Sequence, residues 1–276
     1  MSDIDAFRYD GKRALVVGGA TGMGAAAAQT VRNLGAEVVV LDYAPVEFEV
    51  DRSIQVDLRD RAAVDTALDA VGGPVDALFS AAGVADGTPG IMKINFIAHR
   101  HMIERLVGEG TMPRGGAICM ISSVAGLGWE QQMKLLIDFL STASYEEADA
   151  WVQSHDDTDT YTFSKQVMNC YVARRSFPFM QRGIRINAIC PGPTDTPLAR
   201  ANADVWLTFA QDYRDATKTP HLTPEQMGNT MVFLNSDAAS GLSGTNILVD
   251  TGHVMSSLTG SFEPGQQLIG ALLGTG

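Results

Sequence analysis

The amino-acid sequence predicts a doubly wound α/β fold, with a seven-stranded parallel sheet and helices on both of its faces. Two observations carry that expectation. Short apolar runs alternate along the chain with segments of helical period, the order that places parallel strands next to one another through helical crossovers. The runs themselves are almost continuously Val, Ile, Leu and Ala rather than alternately apolar and polar, as strands covered on both faces require. The 276 residues, 45% of them hydrophobic and 19% charged, are enough to bury a full core.

Strands are expected at 14–18, 37–41, 53–56, 76–80, 117–122, 185–190 and 246–250, and helices at 23–34, 61–71, 91–107, 160–181 and 224–235. Gly35 stops the first helix, and Thr223 followed by Pro224 and Glu225 starts the last with a cap and a first-turn proline. No repeat, low-complexity block or Pro/Gly/Ser linker divides the chain, so a single domain over 1–276 is expected. Two stretches break the rhythm, an insert at about 127–159 and a lid at about 197–220. In the insert, Met133, Leu136, Ile137 and Leu140 form one apolar helical face. Ser144-Tyr145-Glu146-Glu147 reads as a capping box that opens a second short helix. Both stretches follow strand C-terminal ends, where open α/β sheets bind ligands.

The net charge of −12 argues against nucleic acid or an anionic membrane surface as partner. Three cysteines without CxxC spacing read as buried thiols in a reducing compartment. The polar first residues lack the pattern of a signal peptide, and no apolar run approaches a membrane span, so a cytoplasmic location is expected. His99 and His101 face different sides of their helix and the other histidines are isolated, so no metal is expected.

Two constellations carry chemistry. The first strand runs into Gly18-Gly19-Ala20-Thr21-Gly22-Met23-Gly24 and then an alanine-rich helix. Glycines there allow backbone N–H groups to approach a pyrophosphate at a helix N-terminus. Such a turn is also found as a plain strand–helix connection, but Asp42 stands 18 residues past Gly24 at the end of the second strand. That is the place of a carboxylate that accepts from a ribose 2′-hydroxyl and repels a 2′-phosphate, which favours NAD over NADP. The alternative for Asp42 is a solvated strand end. The second constellation is Tyr161-Thr162-Phe163-Ser164-Lys165, in which phenol and ammonium share one helical face. Bringing a phenol from about 10 to near 7 takes roughly 4 kcal/mol, which a neighbouring ammonium and a cationic nicotinamide ring are expected to supply. Tyr161 is the one tyrosine with lysine four residues on; its plainer reading is an exposed helix residue.

Together with Ile121-Ser122-Ser123-Val124-Ala125-Gly126, Asn95, Asn187-Ala188-Ile189-Cys190-Pro191-Gly192 and the late Gly244…Asp250-Thr251-Gly252, these motifs resemble the short-chain dehydrogenase/reductase family over residues 11–252. The long insert and the Thr194-Asp195-Thr196-Pro197-Leu198 wording resemble most the bacterial 3α-hydroxysteroid dehydrogenase/carbonyl reductase type. The resemblance implies a Rossmann-like NAD-dependent oxidoreductase exchanging hydride between NAD(H) and a secondary alcohol or ketone, a bulky hydrophobic or cyclic one. It implies Tyr161 as acid/base, Lys165 lowering its pKa and binding the ribose, Ser123 bonding the substrate oxygen, and Asn95 holding a relay water. For the cofactor it implies Gly18, Thr21, Gly22, Met23 and Gly24 at the pyrophosphate and Asp42 at the ribose. Asp57 and Leu58 with Ala82 and Gly83 would take the adenosine side, and Pro191, Thr194 and Thr196 the carboxamide. The alternative is a dinucleotide-sensing protein without catalysis on the same fold. Departures are Val17 and Ala81, which stand where the family usually has threonine and asparagine; both replaced groups tie backbone together.

Trp129, Met133, Trp151, Trp206 and Phe209 either line an apolar substrate cavity or form satellite cores. A homo-oligomer, dimer or tetramer, is expected, with the insert covering the face of the Tyr161 helix. The apolar tail (Phe262, Leu268, Ile269, Leu272, Leu273) is expected to pack on its own subunit or on a neighbour's, with a neighbour favoured.

Overall fold

A computed structural model describes residues 4–274. Seven strands, β1 (Arg13–Val17), β2 (Glu37–Asp42), β3 (Arg52–Gln55), β4 (Ala77–Ser80), β5 (Ala117–Ile121), β6 (Arg185–Pro191) and β7 (Asn246–Val249), form one sheet in the order β3-β2-β1-β4-β5-β6-β7. Every pairing is parallel. The expected sheet is therefore present, with strand ends displaced by a residue or so. The order reverses between β1 and β4, and a crevice opens beyond their C-terminal ends.

Two apolar layers cover the sheet. On one face α1 (Gly22–Asn33) and α10 (Pro224–Asn235) pack Ala27, Val31, Met227 and Met231 over Val16, Val38 and Phe79. On the other, α2 (Arg61–Val71), α3 (Ala98–Gly108) and α6 (Tyr161–Gln181) pack on Leu15, Leu41, Leu78 and Ile118. Alternate residues of each strand thus face opposite helical layers, which is why the strand runs are apolar throughout. The edge strand β3 is short and mostly exposed, a protected edge in its own right. Thr223 and Gln226 close a reciprocal capping box at α10, and Gly35, at φ +100°, follows the end of α1.

The expected helix at 91–107 is present but not uniform. Residues 93–97 form a π-turn ahead of α3, and Asn95 lies inside it. An i, i+4 apolar pattern cannot distinguish one inserted residue in a helical turn from none.

The insert forms α4 (Met133–Leu140) and α5 (Tyr145–Gln153). Its buried face differs from the expected one. Leu136, Phe139 and Leu140 are buried, while Met133 is exposed and Ile137 only partly covered. Phe139 meets Phe96 and Phe163 at centroid distances of 5.9 Å each, and Trp151 at 5.1 Å. The insert thereby covers the face of α6, as expected. The capping box at Ser144 is only half closed. Ser144 accepts from Glu147 N at 3.1 Å, but the Glu147 carboxylate reaches one residue further back, to Ala143 N at 2.8 Å.

The lid carries three short helices, α7 (Pro197–Ala201), α8 (Ala203–Trp206) and α9 (Gln211–Thr217). The tail, α11 (His253–Leu258) and α12 (Gln266–Leu273), packs on its own chain, one of the two arrangements that the sequence leaves open. Ile269 is fully buried with Val124 and Val254, against Phe209 and Leu272. A free apolar face finds cover in cis because the lid and the end of β5 leave a hollow beside it.

Because Phe139 joins the insert to the main core, Phe139→Ala should lower unfolding free energy by about 3–5 kcal/mol. Chemical denaturation followed by circular dichroism measures this. A loss below about 1 kcal/mol would show that the insert stands apart from the core.

Candidate active site

The crevice contains two adjoining cavities. The larger, about 480 Å³, runs over the glycine turn and the ends of β2 and β4. It is lined by Gly18, Thr21, Gly22, Met23, Gly24, Asp42, Asp57, Leu58, Ala82, Gly83 and Thr196, which gathers the whole expected adenosine and pyrophosphate set. The second, about 370 Å³, contains Ser123, Tyr161, Lys165, Pro191, Thr194 and Thr196. Met23, Ala81, Gly83, Thr196 and Leu198 line both. Asn95 lines neither.

Gly18 has φ +80°, and a Cβ on it would stand 2.3 Å from Ala82 N. A Cβ on Gly24 would stand 2.0 Å from Gly18 O. Side chains are excluded at both positions by backbone, so the turn and the first residues of α1 present bare amides to the cavity. Thr21, the residue before α1, makes no side-chain cap. Thr160, Thr196 and Thr223, in contrast, each cap the helix they precede. The open amides and the helix dipole suit a pyrophosphate. The Asp42 carboxylate accepts from Ala20 N at 2.8 Å and Ala44 N at 2.9 Å, tying the turn to the end of β2. Arg59 is the one cation among the residues lining this cavity, and Asp57 grips its guanidinium at 2.6 Å. That bond holds the Asp57 carboxyl below the usual carboxylate range. A dinucleotide therefore fits the residues present, and the cavity offers no unpaired cation to a 2′-phosphate.

In the second cavity the chain brings the expected serine, tyrosine and lysine together. Ser122 Oγ donates to Lys165 O at 3.2 Å, and Asn169 Nδ2 donates to Gly126 O at 2.9 Å. Gly126 lies so close to α6 that a Cβ there would meet Lys165 O at 2.8 Å. These contacts lock the segment after β5 onto α6 and set Ser123 beside the phenol. Ser123 Oγ accepts from Ala125 N at 3.1 Å, and a hydrogen bond from Ser123 favours ionisation of Tyr161. Lys165 is 3% exposed, and its Nζ donates to Ile121 O at 2.8 Å. Nζ lies 5.3 Å from the centre of the Tyr161 ring.

The expected low phenol pKa is not what the protein alone produces. Burial pushes Tyr161 up to about 12, outweighing the Ser123 bond, and the charge of Asp86 pushes the same way. Burial also lowers Lys165 to about 8. An ammonium sunk in the fold is itself destabilised, so it cannot be treated as a full solvent-like charge beside the phenol.

Asn95 is fully buried, and its side chain is engaged by protein rather than turned to a cavity. Its Oδ1 accepts from Val84 N at 2.8 Å, and its Nδ2 donates to Val84 O at 3.1 Å and Ser164 Oγ at 3.2 Å. The side chain is thus a brace between Val84 and Ser164.

Trp206 of α8 lies against the Tyr161 ring, with centroids 4.9 Å apart. Several other residues were missed by sequence reasoning. Asp86 accepts from Tyr161 N at 2.6 Å. Leu272 of the tail lines the second cavity. Asn169 stands one helical turn past Lys165, which is the only sequence signal it had. Of the aromatic residues left open between cavity and core, Trp206 and Phe209 line the cavity, whereas Trp129 and Trp151 pack on the main core. Among the described residues no group of three or more His, Cys, Asp or Glu side chains could hold a metal ion, and no helix is long and apolar enough to cross a membrane.

Comparison with known proteins is consistent with this geometry. The family model described as short chain dehydrogenase matches residues 12–134, and the one described as enoyl-(acyl carrier protein) reductase matches residues 140–254. The chain is 26% identical over 249 residues to coniferyl-alcohol dehydrogenase of a Pseudomonas species, covering 87% of this chain and 96% of that one. It is 26% identical over 252 residues to 3-alpha-hydroxysteroid dehydrogenase/carbonyl reductase of Comamonas testosteroni, covering 86% and 95%. The fold is similar to that of the 3-alpha-hydroxysteroid dehydrogenase of a Pseudomonas species solved with NADH. The TM-score is 0.71 at 22% identity, covering 91% of this chain and 99% of that one. With the two models matching nearly end to end and the motifs gathered in one crevice, the chain belongs to the short-chain dehydrogenase/reductase family of nicotinamide-dependent oxidoreductases.

Proposed function

We propose that this chain is an NAD(H)-dependent oxidoreductase of bulky, hydrophobic or cyclic secondary alcohols and ketones, working as a single catalytic domain with Tyr161 as acid/base. The observation that carries this reading is the meeting of Ser123, Tyr161 and Lys165 in an apolar cavity that opens onto the glycine turn. Val124, Leu198, Val205, Trp206, Phe209 and Leu272 supply its apolar walls, a lining suited to hydrocarbon rings. Coniferyl-alcohol dehydrogenase and the hydroxysteroid enzyme, both relatives at 26% identity, are named for ring-bearing alcohols.

A nicotinamide dinucleotide held by the glycine turn, Asp42, Asp57, Gly83, Pro191, Thr194 and Thr196 would supply the acceptor or donor of hydride and, when oxidised, a positive charge. In the oxidation direction the Tyr161 phenolate takes the hydroxyl proton as the C–H pair leaves. In reduction the neutral phenol returns that proton to the developing alkoxide. Ser123 Oγ accepts from Ala125 N, and its one hydrogen, directed to Tyr161 in the ligand-free chain, would turn to the substrate oxygen once that is bound. Lys165 has three donors and spends one on Ile121 O, which leaves two for ribose hydroxyls and the phenol side of the site. Asn95 positions by bracing Val84 and Ser164. Asp42 is placed to accept from a 2′-hydroxyl and to repel a 2′-phosphate, and the pairing of Arg59 with Asp57 removes the nearest counter-charge.

Three outcomes test the reading. Tyr161→Phe should lower turnover by about 10³-fold or more while NADH binding changes less than about twofold. Stopped-flow rates and fluorescence titration measure the two, and substantial residual turnover would remove Tyr161 from the acid/base role. Asp42→Ala should shrink the ratio of kcat/KM for NAD over NADP by about tenfold; an unchanged ratio would remove the carboxylate from coenzyme choice. The third concerns Lys165, whose pKa lies at about 8 in the folded chain against an ordinary 10.5. The folded chain gives up this proton earlier than the unfolded chain does, so stability rises with pH between those values. Relative to Lys165→Met, the wild type should gain up to about 3 kcal/mol in unfolding free energy from pH 8 to 10.5. Parallel denaturation curves that keep a constant separation would show that the ammonium is not buried.

A further inference from the structure

The segment Ala81-Ala82-Gly83-Val84 divides the two cavities, and Ala81 and Gly83 face both of them. Its position is set within a few tenths of an ångström. Ala81 N donates to Val17 O at 2.8 Å, and Ala82 N lies so near Gly18 that a Cβ there would overlap it at 2.3 Å. A Cβ on Gly83 would stand 3.6 Å from Asn95 Oδ1 and 3.8 Å from Lys165 Nζ. Ala81 itself carries no polar group with which to hold this segment. Two side chains one turn apart on a single helix do so instead. Asn95 takes both the N–H and the carbonyl of Val84. His99, 1% exposed, bridges Ser80 Oγ through Nδ1 and Ala82 O through Nε2, the latter at 3.1 Å.

A carbonyl oxygen only accepts, so Nε2 must carry the hydrogen. No carboxylate takes part in the bridge. Burial lowers the ring to about 4, outweighing the Ala82 bond, which favours the imidazolium, and the Lys165 charge pushes the same way as burial. Nδ1 is then a lone pair that accepts from the Ser80 hydroxyl, and that acceptance fixes the tautomer which donates to Ala82.

We propose that His99 is a positioning residue for the dinucleotide cavity, a neutral imidazole that clamps the end of β4 by accepting from Ser80 and donating to Ala82. It touches neither reacting atoms nor cavity. Its effect passes through the Ala82 carbonyl to the spacing between the glycine turn, Gly83 and Lys165. The link to the dinucleotide rests on the function proposed above; the clamp itself does not.

The test compares wild type with His99→Leu, which removes both bonds, and His99→Gln, whose longer amide can still donate towards Ala82 O. Two readouts are taken, NADH affinity by fluorescence titration and amide hydrogen exchange of residues 80–85 in the ligand-free protein. His99→Leu should weaken NADH binding by about tenfold and accelerate exchange in that segment. kcat at saturating NADH should stay within about threefold, because the acid/base group is untouched. His99→Gln should recover most of both. Affinity and exchange unchanged in His99→Leu would overturn the clamp, and so would equal losses in Leu and Gln, since those would mean that ring volume alone matters. Should His99→Leu fail to fold, Ser80→Ala serves instead. It removes one of the two anchors of the ring, and exchange in the segment should still rise; no rise would overturn the proposal. Failure of the wild type to bind NADH would sink the dinucleotide reading, while the exchange measurement would still decide the clamp.

Discussion

A buried ammonium at the C-terminal end of β5 is the constraint on which the rest of the site depends. Lys165 Nζ has lost bulk water and has one protein acceptor, Ile121 O. An ion so placed is costly, and folding tolerates it only if the surroundings hold it rigidly. The segment after β5 does this by lying against α6 with no room for a side chain at Gly126, and Ser122 and Asn169 bond across the contact. The same contacts place Ser123 beside Tyr161. One packing arrangement thus holds the charge and assembles the three side chains.

The acidic character of the chain bears on how it holds an anionic ligand. At net −12 the overall field opposes a pyrophosphate. The crevice answers with backbone dipoles, the bare amides of the glycine turn and an α1 start that no side chain caps. Even its negative charge is put to structural use, since Asp42 holds the turn through Ala20 N and Ala44 N. Backbone donors of this kind are fixed by the fold and bring no mobile cation into the crevice.

What the sequence made legible follows from how local each signal was. The strands were readable because burial on both faces demands uninterrupted apolar runs, and the glycine turn because only glycine tolerates the approach of Ala82 N to Gly18. Tyr161 and Lys165 were readable because helix geometry puts positions four apart on one face. Asn169 and His99 were not, since their partners, Gly126 and the end of β4, come near only in the folded chain. Phe139 was passed over for Met133 and Ile137 because periodicity shows that a stripe exists without fixing its rotation to one residue. The cover of the tail stays open in the sequence, because its apolar face is plain and the hollow in its own chain is not.

The apolar cavity and the acid/base chemistry pull in opposite directions. Walls such as Trp206 and Phe209 suit a hydrocarbon ring, but dry surroundings disfavour the phenolate and raise Tyr161 to about 12. A more polar lining would ease ionisation at the expense of substrate affinity. The chain keeps the apolar walls and places its compensation at a single point, the hydroxyl oxygen of Tyr161, which receives the Ser123 hydrogen bond. A phenol held near 12 gives up its proton reluctantly. A positive charge brought beside it would favour the phenolate, because a nearby opposite charge stabilises the ionised form.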